Sequence, residues 1–131
     1  MTRMHAKRDK RAKAAQSIWV LLMLGCCDAA LAGPVDCDAL AKAAETKRAL
    51  IPSSDAIWKA VGKGRVQFYS APDKRCPIKG VFIIPGQRAN AYADYAGFVN
   101  VWYMNDKGGG DAEGWVLESR MKPTGYGIGP N

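Results

Sequence analysis

The pattern of hydrophobic and polar positions divides the chain into three parts. Residues 18–27 form a continuous apolar run, residues 38–50 combine alanine with charged side chains, and from Trp58 onward short runs of Val, Ile, Phe, Tyr and Trp alternate with glycine and proline. Alanine-rich sequence with leucines near helical spacing predicts an α-helix, whereas short aromatic and β-branched runs between turn residues predict strands. The pattern therefore predicts one helix followed by a mainly β domain.

The helix is predicted over residues 38–50. Asp38 can cap its start, and the step Ile51-Pro52 ends it, because the residue before a proline is pushed out of helical geometry. Cys37 would then lie at the N-terminal end of the helix. We assign residues 33–57 to this helix and a linker.

Five segments have the pattern of strands: residues 65–70, 80–84, 88–95, 98–103 and 115–117. The glycine-rich tract between the last two predicts a loose hairpin loop. Because the connections leave no room for crossover helices, we expect a small antiparallel barrel or sandwich preceded by one short N-terminal α-helix. Residues 58–122 would form this β domain, and residues 123–131, which contain three glycines, would form a flexible tail.

The first 32 residues have the composition of a secretory signal peptide. The apolar run of residues 18–27 is shorter than the ~20 residues that a membrane-spanning helix needs, and Ala30-Leu31-Ala32 places small residues at the positions that signal peptidase reads. The basic residues before the run are Arg3, Lys7, Arg8, Lys10, Arg11 and Lys13. We expect cleavage between Ala32 and Gly33 and bacterial export, to the periplasm or out of the cell.

An alternative processing event is lipidation of Cys26. This cysteine follows Leu24-Gly25, which loosely resembles a lipobox, although Met23 stands where leucine is usual. Lipidation there would leave Cys27 at position two of the processed chain, and the sequence leaves the two alternatives open.

The net charge of +7 belongs mainly to the predicted signal. Six of the 19 basic and two of the 12 acidic residues lie in the first 32 positions, which leaves 13 and 10 in the remainder. We therefore expect no nucleic-acid partner, and membrane contact only through the signal peptide. The remainder keeps Cys37 and Cys76, which we expect to pair after export. Closing a loop of about 40 residues would stabilise the fold by roughly 3–4 kcal/mol.

The residues that usually carry catalysis are scarce after the predicted signal. The single histidine, His5, lies within it, so the remainder has no imidazole to act as general base or metal ligand. Asp111 and Glu113 are close in sequence, but their place at a glycine-rich hairpin is typical of solvated charges. We expect a protein that is not an enzyme and that uses no metal or cofactor.

The order of motifs from Trp58 to Lys122 resembles a bacterial Src-homology-3 domain, a small five-stranded barrel of exported proteins. The motifs are a turn after the first strand (Tyr69-Ser70-Ala71-Pro72), an Ile84-Pro85-Gly86 step, the turn and strand of residues 96–101, a Gly114-Trp115-Val116 element and a helical turn near Ser119-Arg120-Met121. The resemblance covers about two-thirds of the chain that follows the predicted signal. It implies a five-stranded Src-homology-3-like barrel.

The resemblance also implies a binding function. Tyr69 matches a groove tyrosine and Phe98 the position of a ligand-binding tryptophan, whereas Leu117 and Arg120 replace other groove residues, so recognition of proline-rich peptides carries over only in part. The expected ligand is a peptide, an envelope protein or peptidoglycan, bound in an aromatic groove rimmed by Lys74, Arg75 and Arg88. The alternative is a periplasmic immunity or inhibitor protein that blocks a cell-wall-degrading toxin or hydrolase. The candidate ligand-binding residues are Tyr69, Tyr92, Tyr95, Phe98, Trp102 and Arg88.

Overall fold

The computed structural model describes residues 33–130. The predicted signal peptide, the Ala32 side of its cleavage site and Cys26 lie outside the described residues. One α-helix is followed by eight strands and two 3₁₀ turns. The helix α1 is Cys37–Lys47, and the strands are β1 Ala49–Leu50, β2 Ile57–Ala60, β3 Val66–Tyr69, β4 Pro77–Ile83, β5 Arg88–Tyr95, β6 Phe98–Tyr103, β7 Ala112–Leu117 and β8 Met121–Tyr126. The 3₁₀ turns are Ser53–Asp55 and Glu118–Arg120.

The strands form one antiparallel sheet in the order β4-β3-β7-β6-β5-β2-β8, with β1 added beside β5. The prediction of a mainly β protein with one helix is confirmed. The sheet is not closed, since β4 and β8 end the path, and it contains strands beyond the five that were predicted. Three strands are additional: β1 and β2, with two and four residues, and β8, with six.

Helix α1 begins and ends earlier than predicted. Asp36, and not Asp38, is the N-cap, because its side chain accepts a hydrogen bond from the backbone N–H of Ala39 at 3.0 Å. The chain leaves helical geometry at Arg48. Leu50 then pairs with Ala93 of β5, so backbone pairing to the sheet replaces the last predicted helical turn.

The predicted disulfide is confirmed. Cys37 at the start of α1 is bonded to Cys76 in the turn between β3 and β4, with 5.8 Å between the Cα atoms, which lies within the usual range for a bridge. The same turn is held by Asp73, which accepts hydrogen bonds from the backbone and side chain of Arg75 at 2.8–2.9 Å. The bridge therefore fixes the helix start to a rigid turn of the β domain.

The main core lies on the inner face of the bent sheet and takes side chains from β2 through β8. Its largest members are Trp58, Val66, Phe68, Ile83, Val99, Val101, Val116 and Met121. The strands β5 and β6 are joined by Ala96-Gly97, both with positive φ (51° and 79°), as a tight hairpin turn of matching twist requires. This turn fixes which side chains of the two strands face outward.

The region predicted as a flexible tail begins with a strand, which corrects the boundary at Lys122. Strand β8 continues to Tyr126, and the Thr124 hydroxyl donates to the backbone carbonyl of Ile57 at 2.7 Å. The N–H of Ile128 then donates to the carbonyl of Ser53 at 2.8 Å. Pro123 is compatible with this strand because β8 lies at a sheet edge, where a missing N–H breaks no ladder.

Candidate functional site

The outer face of the sheet is the side of β5, β6 and β7 that points away from the main core. Side chains alternate along β6, so Val99 and Val101 enter the core while Phe98, Asn100 and Trp102 point outward. Within residues 33–130, no helix has the length and apolar character needed to cross a membrane. Helix α1 packs on one part of the outer face and leaves the other part uncovered.

The first is the covered part, on which α1 packs. A second hydrophobic cluster forms there from Ala44 of the helix with Phe98 and Trp115, and Tyr69, Tyr95 and Leu117 pack against it. The rings of Tyr69 and Phe98 meet edge to face with 5.5 Å between their centroids. Ala44 is completely buried, so the small side chain lets the helix backbone come close to the aromatic rings.

The covered part changes the interpretation of three predicted ligand residues. The structure brings Tyr69 and Phe98 together, as the resemblance implies, and adds Tyr95. Phe98 is buried with Ala44 of the helix and keeps only 6% of its surface exposed. Tyr69 and Tyr95 are partly buried against this cluster, so Phe98 is not part of a free aromatic groove.

The second is the open part, which the helix leaves uncovered. The half-buried Trp102 stands at its centre, directly opposite Asn90 of β5 and Glu113 of β7. Beside it lies a groove of about 430 Å³, lined by Arg48, Leu50, Ile51, Tyr92, Asn100 and Glu113. Tyr92 occupies the position where the register of β5 against β6 shifts, as in a β-bulge, which can re-aim a side chain. The predicted residues Trp102 and Tyr92 thus share this open surface.

Arg88 lies at the far end of the same open part. It is two residues from Asn90 on β5, so both side chains point outward. Directly opposite Arg88 is Lys59 of β2, and opposite Lys59 is Lys122 of β8. These cations and Pro123, Thr124 and Tyr126 line a groove of about 350 Å³.

A wider hollow lies on the other side of Arg88, at the end of the β6–β7 hairpin. It has a volume of about 500 Å³ and includes Met104, Asp106 and Lys107. The amide of Gln87 donates to the Tyr103 hydroxyl at 2.7 Å and so fixes the wall of this hollow. Arg88 separates this hollow from the groove beside Lys59 and Lys122.

The predicted basic rim is divided between two places. Arg75 is bound within the β3–β4 turn to Asp73, and this hydrogen-bonded guanidinium lowers the pKa of the Asp73 carboxyl to about 2. Lys74 is exposed in the same turn. Of the predicted rim, Arg88 is therefore the residue that lines a groove of the open part.

The acidic pair in the β6–β7 hairpin does not form a shared site. Asp111 accepts a hydrogen bond from the backbone N–H of Asn105 at 3.3 Å, whereas Glu113 lies on the outer face opposite Trp102. Both are exposed. Among residues 33–130, no three His, Cys, Asp or Glu side chains come together as a metal site.

No family model, curated protein or solved structure matches this chain.

Sequence reasoning missed Lys59 and Lys122 as surface partners of Arg88. In the structure, Ile57-Trp58-Lys59-Ala60 alternates between outward and buried positions. Ile57 and Trp58 are adjacent apolar residues, however, so the residue types carry no period-two signal that predicts β2. The sequence does not indicate the register that places Lys59 opposite Arg88 and Lys122, which are 29 and 63 positions away along the chain.

Proposed function

We propose that this protein is an exported, non-catalytic binding module with a Src-homology-3-like domain. It recognises a peptide, a protein or a cell-wall component through the open part of its outer face. The observation that carries the proposal is Trp102, a half-buried indole on a sheet face that helix α1 leaves uncovered, beside the groove that contains Tyr92. Tryptophan and tyrosine are the residues that most often anchor binding surfaces.

The order of the strands supports the Src-homology-3-like part of the proposal. Strands β5, β6 and β7 follow one another as neighbours, the 3₁₀ turn Glu118–Arg120 comes next, and β8 returns to pair with β2. The resemblance implied such a helical turn near Ser119 before the chain ends. Strands β2, β5, β6, β7 and β8 would then be the five strands of the barrel, and β3 and β4, which the sequence analysis counted as its first two strands, would form a hairpin added to it.

The chemistry of the open part supports contact rather than bond-making. Its side chains are an indole, a phenol, amides, cations and the exposed Glu113 carboxylate, which stack, form hydrogen bonds and pair with opposite charges. Helix α1 and the disulfide fix the covered part of the same sheet. A rigid face of this kind binds without a large loss of conformational freedom.

Export is supported by the disulfide, because such bonds persist in oxidising compartments. Mass spectrometry of the protein recovered from an expressing bacterium should show Gly33 as its first residue. A chain that retains residues 1–32 in the cytoplasm would refute export, and a lipid-modified Cys26 would replace periplasmic release by an anchored form.

The binding function can be tested by cosedimentation with purified peptidoglycan. Trp102→Ala should weaken retention by at least ~10-fold, the effect of losing an anchor that contributes about 1.4 kcal/mol or more. Ile84→Ala is the matched control, because Ile84 is an exposed hydrophobic side chain outside this face. Equal retention of both variants would contradict the assignment of Trp102.

The same proteins separate the rival function. Nanomolar binding to a single cell-wall hydrolase, with none to the wall, would support the immunity or inhibitor alternative. Hydrolysis of muropeptides by the purified protein would overturn the non-catalytic assignment.

A further inference from the structure

Three cationic side chains stand in one row across the open part. Arg88 of β5, Lys59 of β2 and Lys122 of β8 are direct neighbours in the backbone register. All three are exposed on the outer face. Adjacent strands lie about 4.8 Å apart, so the row spans roughly 10 Å at the backbone. We refer to these three residues as the cation row.

Within residues 33–130, no carboxylate forms an ion pair with the cation row, although Asp106 lines the hollow on the other side of Arg88. The ion pairs within residues 33–130 are Arg48–Glu45 and Arg75–Asp73, and neither involves the row. Strands β2 and β8 contain no acidic residue, and Asp94 lies at the opposite end of β5. Like charges directly opposite each other destabilise a sheet, so the row is a cost to the fold unless a ligand uses it.

The surroundings of the row are concave and partly apolar. The groove of about 350 Å³ beside it has walls from Pro123, Thr124 and Tyr126, and the Tyr126 side chain is 70% exposed. On the outer face, the adjacent row contains Ile57, Asn90 and Trp102. A concave surface makes more contact with an extended polypeptide than with the flat surface of a bilayer. Trp102 and the cation row can therefore contact one extended ligand.

We infer that the cation row binds an acidic segment of polypeptide in extended conformation. This inference rests on the proposed binding function, since it specifies the ligand of the same face. Acidic side chains at alternate positions of an extended chain lie about 6.7 Å apart. That spacing lies between the backbone distance from one residue of the cation row to the next, about 4.8 Å, and the distance across the whole row, about 10 Å. Flexible lysine side chains can cover the difference. The Arg88 guanidinium can bind a carboxylate through two hydrogen bonds.

The test is fluorescence anisotropy with a labelled peptide of alternating Glu and Ser, and with a Gln-Ser peptide of the same length as its uncharged control. The double variant Lys59→Gln/Lys122→Gln should bind the acidic peptide roughly five- to tenfold more weakly, because exposed ion pairs contribute modestly. The matched control is Lys63→Gln/Lys79→Gln, which removes the same charge from exposed positions outside the row. Raising the salt concentration should weaken binding to the unmodified protein.

Equal weakening by the two double variants would overturn the inference, since net charge alone would then explain it. Binding of dextran sulfate, or of phosphatidylglycerol vesicles, that needs Lys59 and Lys122 without binding of the acidic peptide would also overturn it, in favour of a glycan or a membrane. A third outcome separates the two proposals: Trp102→Ala abolishes wall binding, Lys59→Gln/Lys122→Gln does not change it, and the acidic peptide is not bound. In that case the inference about the acidic segment fails and the proposed binding function stands. If neither variant changes binding to any ligand, both fail.

Discussion

The covered and open parts of the outer face meet on β6 and both contain aromatic side chains, yet they do different things. Phe98 and Trp102 are four residues apart on β6 and point the same way. Phe98 is buried against Ala44 of α1, whereas Trp102 is only partly buried and has polar neighbours. The position of the helix end therefore decides whether an aromatic residue on this face stabilises the fold or is available to contact a ligand.

The cations of the molecule differ in whether they are paired. Arg75, in the turn that carries Cys76, is paired with Asp73 at 2.8 Å, and Arg48, which lines the groove beside Trp102, is paired with Glu45 at 2.9 Å. The cation row of the open part has no such partner among residues 33–130. Ion pairs that are satisfied internally stabilise local structure a little, whereas unpaired cations of one sign attract an external anion.

The largest expected effect compares Phe98→Ala with Trp102→Ala in urea unfolding. Loss of the buried Phe98 ring should lower the free energy of unfolding by about 3–5 kcal/mol, because it leaves a cavity under the helix. Trp102→Ala should cost less, about 1–2 kcal/mol, since the indole is only partly buried. Equal losses in the two variants would break the distinction between the covered and open parts.

Removal of the disulfide tests what holds the helix on the covered part. Cys37→Ser opens a loop with a sequence separation of 39 residues and should lower the free energy of unfolding by about 2–4 kcal/mol. That loss corresponds to a decrease in Tm of several degrees or more for a domain of this size. Thermal melts followed by circular dichroism measure it, and Cys76→Ser should give the same result. An unchanged Tm under reductant would show that packing of Ala44 is sufficient.

The smallest effect concerns the turn that carries Cys76. Asp73 has a pKa of about 2 in the folded protein, below its ordinary value of 3.8, because Arg75 hydrogen-bonds the charged carboxylate. The contribution of this pair is therefore present above pH 3.8 and is lost as the pH falls through about 2. In Arg75→Gln the pKa should return toward 3.8, as measured by NMR titration. A value that stays near 2 would assign the shift to the backbone of the turn.

Much of the local structure was predictable from the sequence. The strands containing Phe68, Ile83 and Val99 were found because branched and aromatic residues between glycines and prolines favour strands. The disulfide was predictable because only Cys37 and Cys76 remain after the signal-like segment. Strand β8 was missed because Pro123 and Gly125 are typical of turns, and only its edge position makes them compatible with a strand.

The candidate site was predictable in part. Trp102 and Tyr92 were among the predicted ligand residues, whereas Tyr126 was assigned to the tail. The sequence could not separate Phe98, which packs under α1, from Trp102, which does not. That separation depends on where the helix lies, and its position follows from long-range contacts of Ala44 and Cys37. The cation row was missed because cross-strand neighbours are set by register.

By itself, the sequence determined the mainly β character, the leading helix and the pair of cysteines, because side-chain periodicity and composition act over a few neighbouring residues. Only the tertiary structure decided which aromatics the helix seals and which cations stand side by side. Arg88 and Lys122 are 34 positions apart in the chain and become neighbours of one lysine only when β2 lies between β5 and β8. Contacts between distant segments depend on the register and packing of the whole sheet, and no local pattern records them.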